Sequence, residues 1–330
     1  MVIMMGRMNL LDKVYSANPA GNQVEGLCIV KSVAIRSNVK GASYLDMVLA
    51  DAGGECPAKL WDYAPETYGA YEADTVVKVR ATINIWKDEE QLKIDRIRNL
   101  KPDEQADMSD LVPCAPFDGE EMYQQVYRCA EGFADNDLKM LTQYLLRENK
   151  VELLRFPAAL KLHHAVRGGL LYHTCTMLKA AQALCKVYKQ LYPTLSEELV
   201  YAGVILHDVA KIRELTVGEL GIATSYSPPG QLLGHINIGV AMVERAAAEL
   251  MLESETPMLV EHMLLSHHGV PEFGSPRPPM FPEAELVSQV DLIDSRMYEM
   301  FDALAGVAVG GFSERQWALD NRQLYRHGHE

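Results

Sequence analysis

The sequence lacks the features that mark secreted and membrane proteins. Its six cysteines are scattered at positions 28, 56, 114, 129, 175 and 185 without a CxxC pair, which argues against a disulfide framework or a zinc ribbon and fits a reducing cytosol. No apolar run approaches the roughly 18 residues that span a bilayer, and the start MVIMMGRMNLLDK is too short and too polar for a signal peptide. We therefore expect a soluble, cytoplasmic protein with no membrane partner.

An excess of basic residues, which is typical of nucleic-acid-binding proteins, is also missing. The 330 residues include 31 Lys and Arg against 45 Asp and Glu, for a net charge of −14. The charge is unevenly spread, because residues 1–101 hold 13 basic and 13 acidic residues, whereas the remainder holds 18 and 32. The two parts are electrostatically distinct, and the chain is long enough for two domains.

Residues 1–101 have the pattern of a small β domain. From Val77 to Ile85 apolar residues alternate with polar or basic ones, which predicts a strand with one buried face. The segment YLDMVL at 44–49 leads into the turn DAGG at 51–54 and a return segment that ends at Trp61, which predicts a hairpin. A further strand is expected over 91–98. About five short strands predict a small barrel, and an OB-fold is the first choice.

Barrels of this kind commonly bind single strands by stacking bases on aromatic rings above a basic groove. The nucleic-acid-binding candidates are Tyr44, Lys59, Trp61, Lys78, Arg80, Trp86, Lys93 and Arg96. For each residue the alternative is a solvated strand face, or a tryptophan packed in the core.

The rest of the chain predicts an all-α bundle. Residues 102–117 are rich in proline and acidic residues and are interpreted as a linker. Helical periodicity then predicts helices near 119–131, 136–148, 157–166, 170–191, 196–213, 235–252, 256–268 and 283–305. A small hairpin is expected at 215–226. We expect the helical domain to cover 118–312, with a C-terminal tail at 313–330.

An adjacent His207-Asp208 pair stands inside the apolar segment VILHDVAK. Burying both side chains is costly unless they are paired or bind a metal. Neighbouring residues on a helix differ by about 100°, so both can reach one ion beside the helix. Other candidate ligands lie at long spacings: His173, His235, His267, His268 and Asp291. Nitrogen and oxygen ligands suit Mn, Fe, Zn, Co or Ni more than Ca.

The order His173, His207-Asp208, His235, His267-His268, Asp291 is similar to the ligand order of HD-domain phosphohydrolases with two metals. This resemblance implies two divalent transition-metal ions, with manganese expected. One ion would be held by His173, His207, Asp208 and Asp291. The second would be held by His235, His267 and His268, with Asp208 bridging; alternatively, one of His267 and His268 binds phosphate.

Over nearly its full length the chain resembles the YhaM-type 3′-to-5′ exoribonucleases, which have an OB-fold ahead of an HD domain. The matching segments are HH at 163–164, GGLLYHT at 168–174, HDVAKIRE at 207–214, LGHI at 233–236, LDMVLAD at 45–51 and AKLWD at 58–62. The resemblance implies hydrolysis of single-stranded RNA, or alternatively single-stranded DNA, to nucleoside 5′-monophosphates by a water activated between two metals. A homo-oligomer is also expected.

Two residues beside the ligands are candidates for catalysis together with Asp208. Lys211 lies one turn after His207, so we expect it to stabilise the phosphate or to protonate the leaving oxygen. His164 precedes a Gly-Gly turn and is expected to contact a substrate phosphate. The alternatives are a surface or salt-bridged lysine and a structural histidine.

Two other functions stay open at this point. The chain could be an HD-type phosphodiesterase of cyclic or free nucleotides, but the cyclic-dinucleotide branch carries a Gly-Tyr-Pro motif, and here His268 is followed by GVPE. It could also be an OB-fold binding protein with an inactive HD domain. The intact ligand set argues against that function.

Overall fold

The chain divides into two compact units, residues 1–114 and 115–330. The structure is a computed structural model that describes residues 10–11, 21–87, 89–101, 103–104 and 106–329. Each unit has its own hydrophobic core. The division falls inside the segment 102–117 that the sequence predicts to be a linker.

The first unit contains the predicted five-stranded barrel. Its strands are β1 (Gln23–Ser37), β2 (Ser43–Asp51), β3 (Gly54–Leu60), β4 (Val76–Trp86) and β5 (Glu89–Asn99), and a short helix α1 (Pro65–Tyr68) precedes β4. The strand order in the closed barrel is β1-β2-β3-β5-β4. All neighbouring pairs are antiparallel except β3 and β5, which are parallel. A 3-10 helix at Met108–Asp110 follows β5.

The alternation along β4 separates an inner face from an outer face. Val77, Val79 and Ile83 are buried in the barrel core, as the period of two predicts. The buried face stops earlier than the sequence pattern suggests, because Ile85 is 48% exposed and Trp86 is 62% exposed. The end of β4 therefore presents apolar surface on the outside of the barrel.

The second unit is helical, as predicted. Its helices are α2 (Gly119–Glu131), α3 (Asn136–Glu148), α4 (Lys150–Leu153), α5 (Gly169–Leu191), α6 (Glu197–Leu206), α7 (Lys211–Glu214), α8 (Pro228–Glu249), α9 (Thr256–Ser266) and α10 (Pro282–Leu304). The expected hairpin is present as β6 (Leu215–Val217) and β7 (Ala223–Tyr226). Two 3-10 helices lie at Pro271–Phe273 and Trp317–Leu319. Within the described ranges, no helix combines the length and the apolar character that a bilayer span requires.

Three predicted helices differ from the observed ones. Residues 157–166 form no helix, because the Ala158 N–H donates to the carbonyl of His164 and the backbone of His164 is left-handed, with φ 54°. The helix predicted over 196–213 ends at Leu206. The helix predicted over 235–252 begins at 228 and is bent at Gly234, which has φ 69° and ψ 159°.

Helix α6 packs closely against α9 and α10 at Gly203. A Cβ on Gly203 would lie 2.7 Å from the Met263 sulfur and 2.8 Å from a Val287 methyl carbon. Real Cβ atoms do not approach other atoms this closely, so the glycine allows the three helices to come together. The contact holds in register the ends of α6 and α9, which carry two pairs of candidate ligands.

We predict that Gly203→Ala lowers the free energy of unfolding of the helical unit by about 1–3 kcal/mol, since the added methyl group overpacks the α6 contact. Urea unfolding followed by circular dichroism at 222 nm measures the change. Gly218→Ala is the matched control, because a Cβ at Gly218 meets no atom within 4 Å. Equal stability of the two variants would contradict the packing argument.

Candidate metal centre

Five segments of the helical unit bring the seven predicted ligands together. His173 lies in α5, His207 and Asp208 follow α6, His235 lies in α8, His267 and His268 follow α9, and Asp291 lies in α10. His173, His207, Asp208 and His267 are buried, and the other three are half-buried. These polar groups therefore occupy the interior of the helical unit, where each needs a partner.

His207 and His267 stand at the C-terminal ends of their helices. For His207 this differs from the prediction, which places it inside a helix over 196–213. The last carbonyls of a helix lack intrahelical donors. In both cases the ring supplies one, because Nδ1–H donates to the carbonyl of Val204 or Leu264 at 2.8 Å. A carbonyl can only accept, so the proton is on Nδ1 and the Nε2 lone pair points away from the helix.

His173 and His235 are oriented by carboxylates instead. His173 Nδ1 is 2.8 Å from Asp294 Oδ2, and His235 Nδ1 is 2.9 Å from Glu214 Oε1. Asp294 and Glu214 are not among the site residues that the sequence predicts. A signal was present, since Glu214 closes the HDVAKIRE segment and Asp294 lies one turn after Asp291 on the same helix. Histidines that bind metals commonly have such a partner on the other ring nitrogen.

The four Nε2 atoms converge on Asp208. His207 Nε2 lies 3.2 Å from Asp208 Oδ2 and 3.3 Å from His173 Nε2. His235 Nε2 and His267 Nε2 lie 3.4 Å and 3.7 Å from Asp208 Oδ1. His173 Nε2 also lies 3.2 Å from Asp291 Oδ1. The two oxygens of Asp208 thus face two different pairs of histidines.

Three donor atoms at this centre are buried without a hydrogen-bond partner among the described residues: Asp208 Oδ1, His235 Nε2 and His267 Nε2. Leaving buried polar atoms unpaired costs free energy, about 1–3 kcal/mol each. A cation that accepts lone pairs would satisfy all three at once. Nitrogen and carboxylate donors suit a first-row transition metal, so the residues fit such an ion.

The ligand atoms form two groups. Those of His235, His267 and His268 lie within 4.8 Å of one another, and so do those of His173, His207 and Asp208. The groups coincide with the two ion sets that the family resemblance implies. Asp291 completes the second group through its contact with His173.

A buried ion pair joins Asp208 to Lys211, whose Nζ lies 2.6 Å from Asp208 Oδ2. Burial opposes the charge on both groups, but their mutual attraction outweighs it and lowers the pKa of Asp208 while raising the pKa of Lys211. Lys211 therefore stays protonated near neutral pH. This favours a role in stabilising negative charge over a role as a proton donor.

Two ligand histidines differ in their protonation. Burial opposes a proton on His173, but its hydrogen bonds to Asp291 and Asp294 outweigh that effect and raise its pKa to about 9. Burial, with the charges of His268 and His207, holds the pKa of His267 well below its usual range. At neutral pH without metal, His173 is therefore protonated and His267 is neutral.

His164 lies beside the centre but not among its converging nitrogens. Its Nε2 is 2.9 Å from Asp294 Oδ2, the oxygen that also accepts from His173 Nδ1. His164 is thus on the side of His173 opposite to His207 and Asp208. The predicted contact with a substrate phosphate stays a prediction.

On the barrel, four of the predicted nucleic-acid contacts lie together: Tyr44 on β2, Lys59 on β3, Trp61 directly after β3 and Lys93 on β5. The rings of Tyr44 and Trp61 are 4.7 Å apart, and Lys59 Nζ lies 5.4 Å and 5.6 Å from their centroids. Lys93 is the register partner of Lys59 across β3 and β5. Trp61 is 38% exposed, so this aromatic and basic cluster is accessible.

The other four predicted contacts differ in their surroundings. Lys78 and Arg80 form ion pairs with Glu25, and Arg96 is the register partner of Arg80. Trp86 is exposed at the β4–β5 turn. Glu25 offsets part of the positive charge of Lys78 and Arg80.

Residues 170–296 match the family model described as HD domain. The helical unit contains an HD domain. The match includes all seven candidate ligands and Lys211, and it begins after His164.

Solved structures similar to this chain include three proteins of low sequence identity. A replication protein A heterotrimer bound to ssDNA is 15% identical over 24% of this chain and 58% of its own, with a TM-score of 0.20. The second OB-fold domain of replication protein A from Methanococcus maripaludis is 12% identical over 26% of this chain and 91% of its own, with a TM-score of 0.22. A single-stranded DNA binding protein from Thermus aquaticus is 15% identical over 27% and 45%, with a TM-score of 0.23. This chain thus spans a little over half of the first of these proteins.

We predict that the affinity for the ion held by His173 rises more steeply with pH than the affinity for the other ion. The pKa of His173 is raised to about 9, so an ion must displace its proton, and the affinity should rise about tenfold per pH unit below 9. His267 is already neutral. Calorimetric Mn²⁺ titrations between pH 6.5 and 8 measure both steps, and equal pH slopes would contradict the assignment.

Proposed function

We propose that this protein is a metal-dependent phosphodiesterase that removes nucleotides from the 3′ end of single-stranded RNA, as the YhaM-type exoribonucleases do. The observation that carries the proposal is the set of three buried, unpartnered donor atoms around Asp208. They support a resident cation, and the match to the HD domain supports phosphate-ester hydrolysis.

The polar groups at the centre would have separate roles in this reaction. Two divalent ions bound there would activate a water molecule, neutralise charge on the phosphoryl oxygens and orient the diester for in-line attack. Asp208 offers one oxygen to each group of ligands, so it would link the two sites. Asp294 and Glu214 hold the rings of His173 and His235 in the orientation that directs Nε2 inward.

Lys211 supplies the additional positive charge. Its ammonium group is held against Asp208 Oδ2, so its position is fixed before a substrate arrives. Since its raised pKa keeps it charged, it would stabilise the phosphoryl oxygens electrostatically as negative charge develops.

The barrel would bind the strand upstream of the scissile bond. The cluster of Tyr44, Lys59, Trp61 and Lys93 combines an exposed tryptophan ring and a half-buried tyrosine ring with cations. Aromatic rings beside cations bind single strands without reading sequence. A strand held there would have a raised effective concentration at the metal centre of the same chain. A free or cyclic mononucleotide has no need of this surface, which favours a polynucleotide substrate.

The predictions of a homo-oligomer and of a cytoplasmic location remain part of the proposal. The Gly- and Ala-rich segment 304–312 is a candidate interface, with a flexible tail as the alternative, and Val309 and Phe312 within it are exposed.

We predict that Asp208→Asn abolishes a Mn²⁺-dependent 3′-to-5′ activity. With 5′-labelled single-stranded RNA, the wild type should give a ladder that shortens from the 3′ end and release nucleoside 5′-monophosphates. The variant should be slowed by more than about 100-fold, because partners outside the ligand set are themselves worth 10–100-fold.

Lys186→Met is the control for this experiment, since Lys186 is exposed on α5, and it should cleave at the wild-type rate. RNA that stays intact but bound would sink the exonuclease proposal. Free nucleotides, cyclic nucleotides and single-stranded DNA are then assayed on the same preparations, and cleavage of one of these classes would identify the substrate instead.

We predict that Trp61→Ala weakens binding of single-stranded RNA about 10- to 100-fold, because a stacked base is worth about 1–3 kcal/mol. Fluorescence anisotropy in EDTA measures the affinity without hydrolysis.

A matched pair of lysine variants tests how positive charge on the barrel contributes to RNA binding. Lys59→Met should lower the slope of log K against log salt by about 0.7. Lys78→Met should lower it less, because Lys78 is paired with Glu25. Equal slopes would contradict this location of the strand.

A further inference from the structure

The loop before α5 places His164 in an unusual backbone conformation. Its φ is 54°, and its carbonyl accepts from the Ala158 N–H. A Cβ on Gly169 would lie 1.9 Å from that carbonyl oxygen, so only a glycine leaves room for it. The spacing of His164 and Gly169 in the sequence thus serves to bring the His164 backbone against the first turn of α5. Non-glycine residues in this conformation are strained and persist only where their surroundings hold them.

This backbone position directs the His164 ring at Asp294. His164 Nε2 lies 2.9 Å from Asp294 Oδ2, and His173 Nδ1 lies 2.8 Å from the same oxygen. A carboxylate can only accept, so both rings donate to it. The ring packs against Tyr298, with centroids 4.1 Å apart, and Tyr172, with centroids 5.0 Å apart.

The surroundings of His164 do not suit a contact with substrate. The residue is 2% exposed, and its Nε2 proton is already used on Asp294. Its Nδ1 is buried and has no hydrogen-bond partner among the residues that the structure describes. The donor atoms of His164, His173 and Asp294 lie within 4.8 Å of one another, but the two short hydrogen bonds already pair them, so no third ion is required there.

Glu214, the carboxylate that orients His235, also accepts two hydrogen bonds on one oxygen, but its second donor is a backbone N–H. Glu214 Oε1 accepts from His235 Nδ1 and also from the backbone N–H of His235, both at 2.9 Å. The bend at Gly234, with φ 69°, exposes that N–H. In each case one carboxylate oxygen orients a ligand ring, and a second donor to that oxygen fixes the carboxylate. For Glu214 the second donor is the backbone N–H of His235. For Asp294 the second donor is the ring of His164.

We propose that His164 is a positioning residue that acts through Asp294 on His173 and thereby sets the affinity of the ion that His173 holds. The inference rests on the metal centre of the proposed function but not on its substrate. It predicts an effect on one ion only, because Glu214 and His235 form no hydrogen bond with His164 or Asp294 among the described residues.

The test measures Mn²⁺ binding by calorimetry on the full chain. In His164→Asn the new residue tolerates a left-handed backbone and its shorter amide withdraws from Asp294. We expect the affinity for one ion to fall about 10- to 100-fold while the other ion is unaffected. Glu214→Gln should weaken the other ion instead, and the double variant should weaken both. Tyr298→Phe keeps the ring contact with His164 and should change neither affinity.

A second variant and a spectroscopic readout separate positioning from a structural role. Asp294→Asn should weaken the same ion as His164→Asn. In ¹⁵N-histidine NMR of the protein loaded with diamagnetic Zn²⁺, the His173 Nδ1–H resonance should shift in His164→Asn and lose its slow exchange in Asp294→Asn. A merely structural histidine would lower the melting temperature of the metal-free protein and leave both Mn²⁺ affinities unchanged.

Three results would overturn the proposal. The first is unchanged Mn²⁺ affinity in His164→Asn with reduced cleavage, which would make His164 a contact to the phosphate. The second is the loss of the same ion in His164→Asn and Glu214→Gln. The third is a wild type that binds none of Mn²⁺, Fe²⁺, Co²⁺, Ni²⁺ or Zn²⁺, which would overturn the proposed function as well. A protein that shows the expected split between ions but leaves RNA intact would refute the exonuclease alone.

Discussion

Four histidines of the metal centre keep their Nδ1 proton in a hydrogen bond, and this constraint decides where their other nitrogens point. A neutral imidazole has one N–H and one lone pair on opposite sides of the ring. Carbonyls hold Nδ1 of His207 and His267, and carboxylates hold Nδ1 of His173 and His235. With the outer nitrogens fixed, Nε2 of each ring must face the interior. The convergence on Asp208 is thus a consequence of hydrogen bonds made around the centre rather than within it.

The constraint also explains the balance of charge. Asp208 and Asp291 bring two carboxylates into the interior beside His173, and Asp294 adds a third within hydrogen-bond distance. Lys211 and a protonated His173 offset part of this charge in the absence of metal. An ion held there would displace the proton on His173 and meet a preformed set of acceptors. The centre can be stable without metal and still be suited to bind it, because proton and metal would compete for the same atoms.

Period and spacing in the sequence were sufficient to predict the barrel and most of the helices. The resemblance to HD-domain phosphohydrolases named candidate ligands that the structure brings close together. Period and spacing failed where side chains compete with the backbone. His207 follows the end of its helix and its ring hydrogen-bonds to the carbonyl of Val204, whereas a period of 3.6 predicts a helix that continues to 213. Asp294 and Glu214 were overlooked because an acidic residue on a helix is usually solvated. Only the three-dimensional contact with His173 or His235 distinguishes them from surface charges.

Glycine is the residue that makes these contacts possible. Gly203 brings α6 against α9 and α10, Gly169 leaves room for the His164 carbonyl, and Gly234 turns the His235 N–H toward Glu214. None of the three touches a candidate ligand atom with a side chain, since glycine has none. Each one instead removes a steric barrier to a close approach, and the hydrogen bond or helix contact that follows orients a ligand. The orientation of the candidate ligands therefore depends on positions where glycine, which has no side chain, allows a close approach or a positive φ.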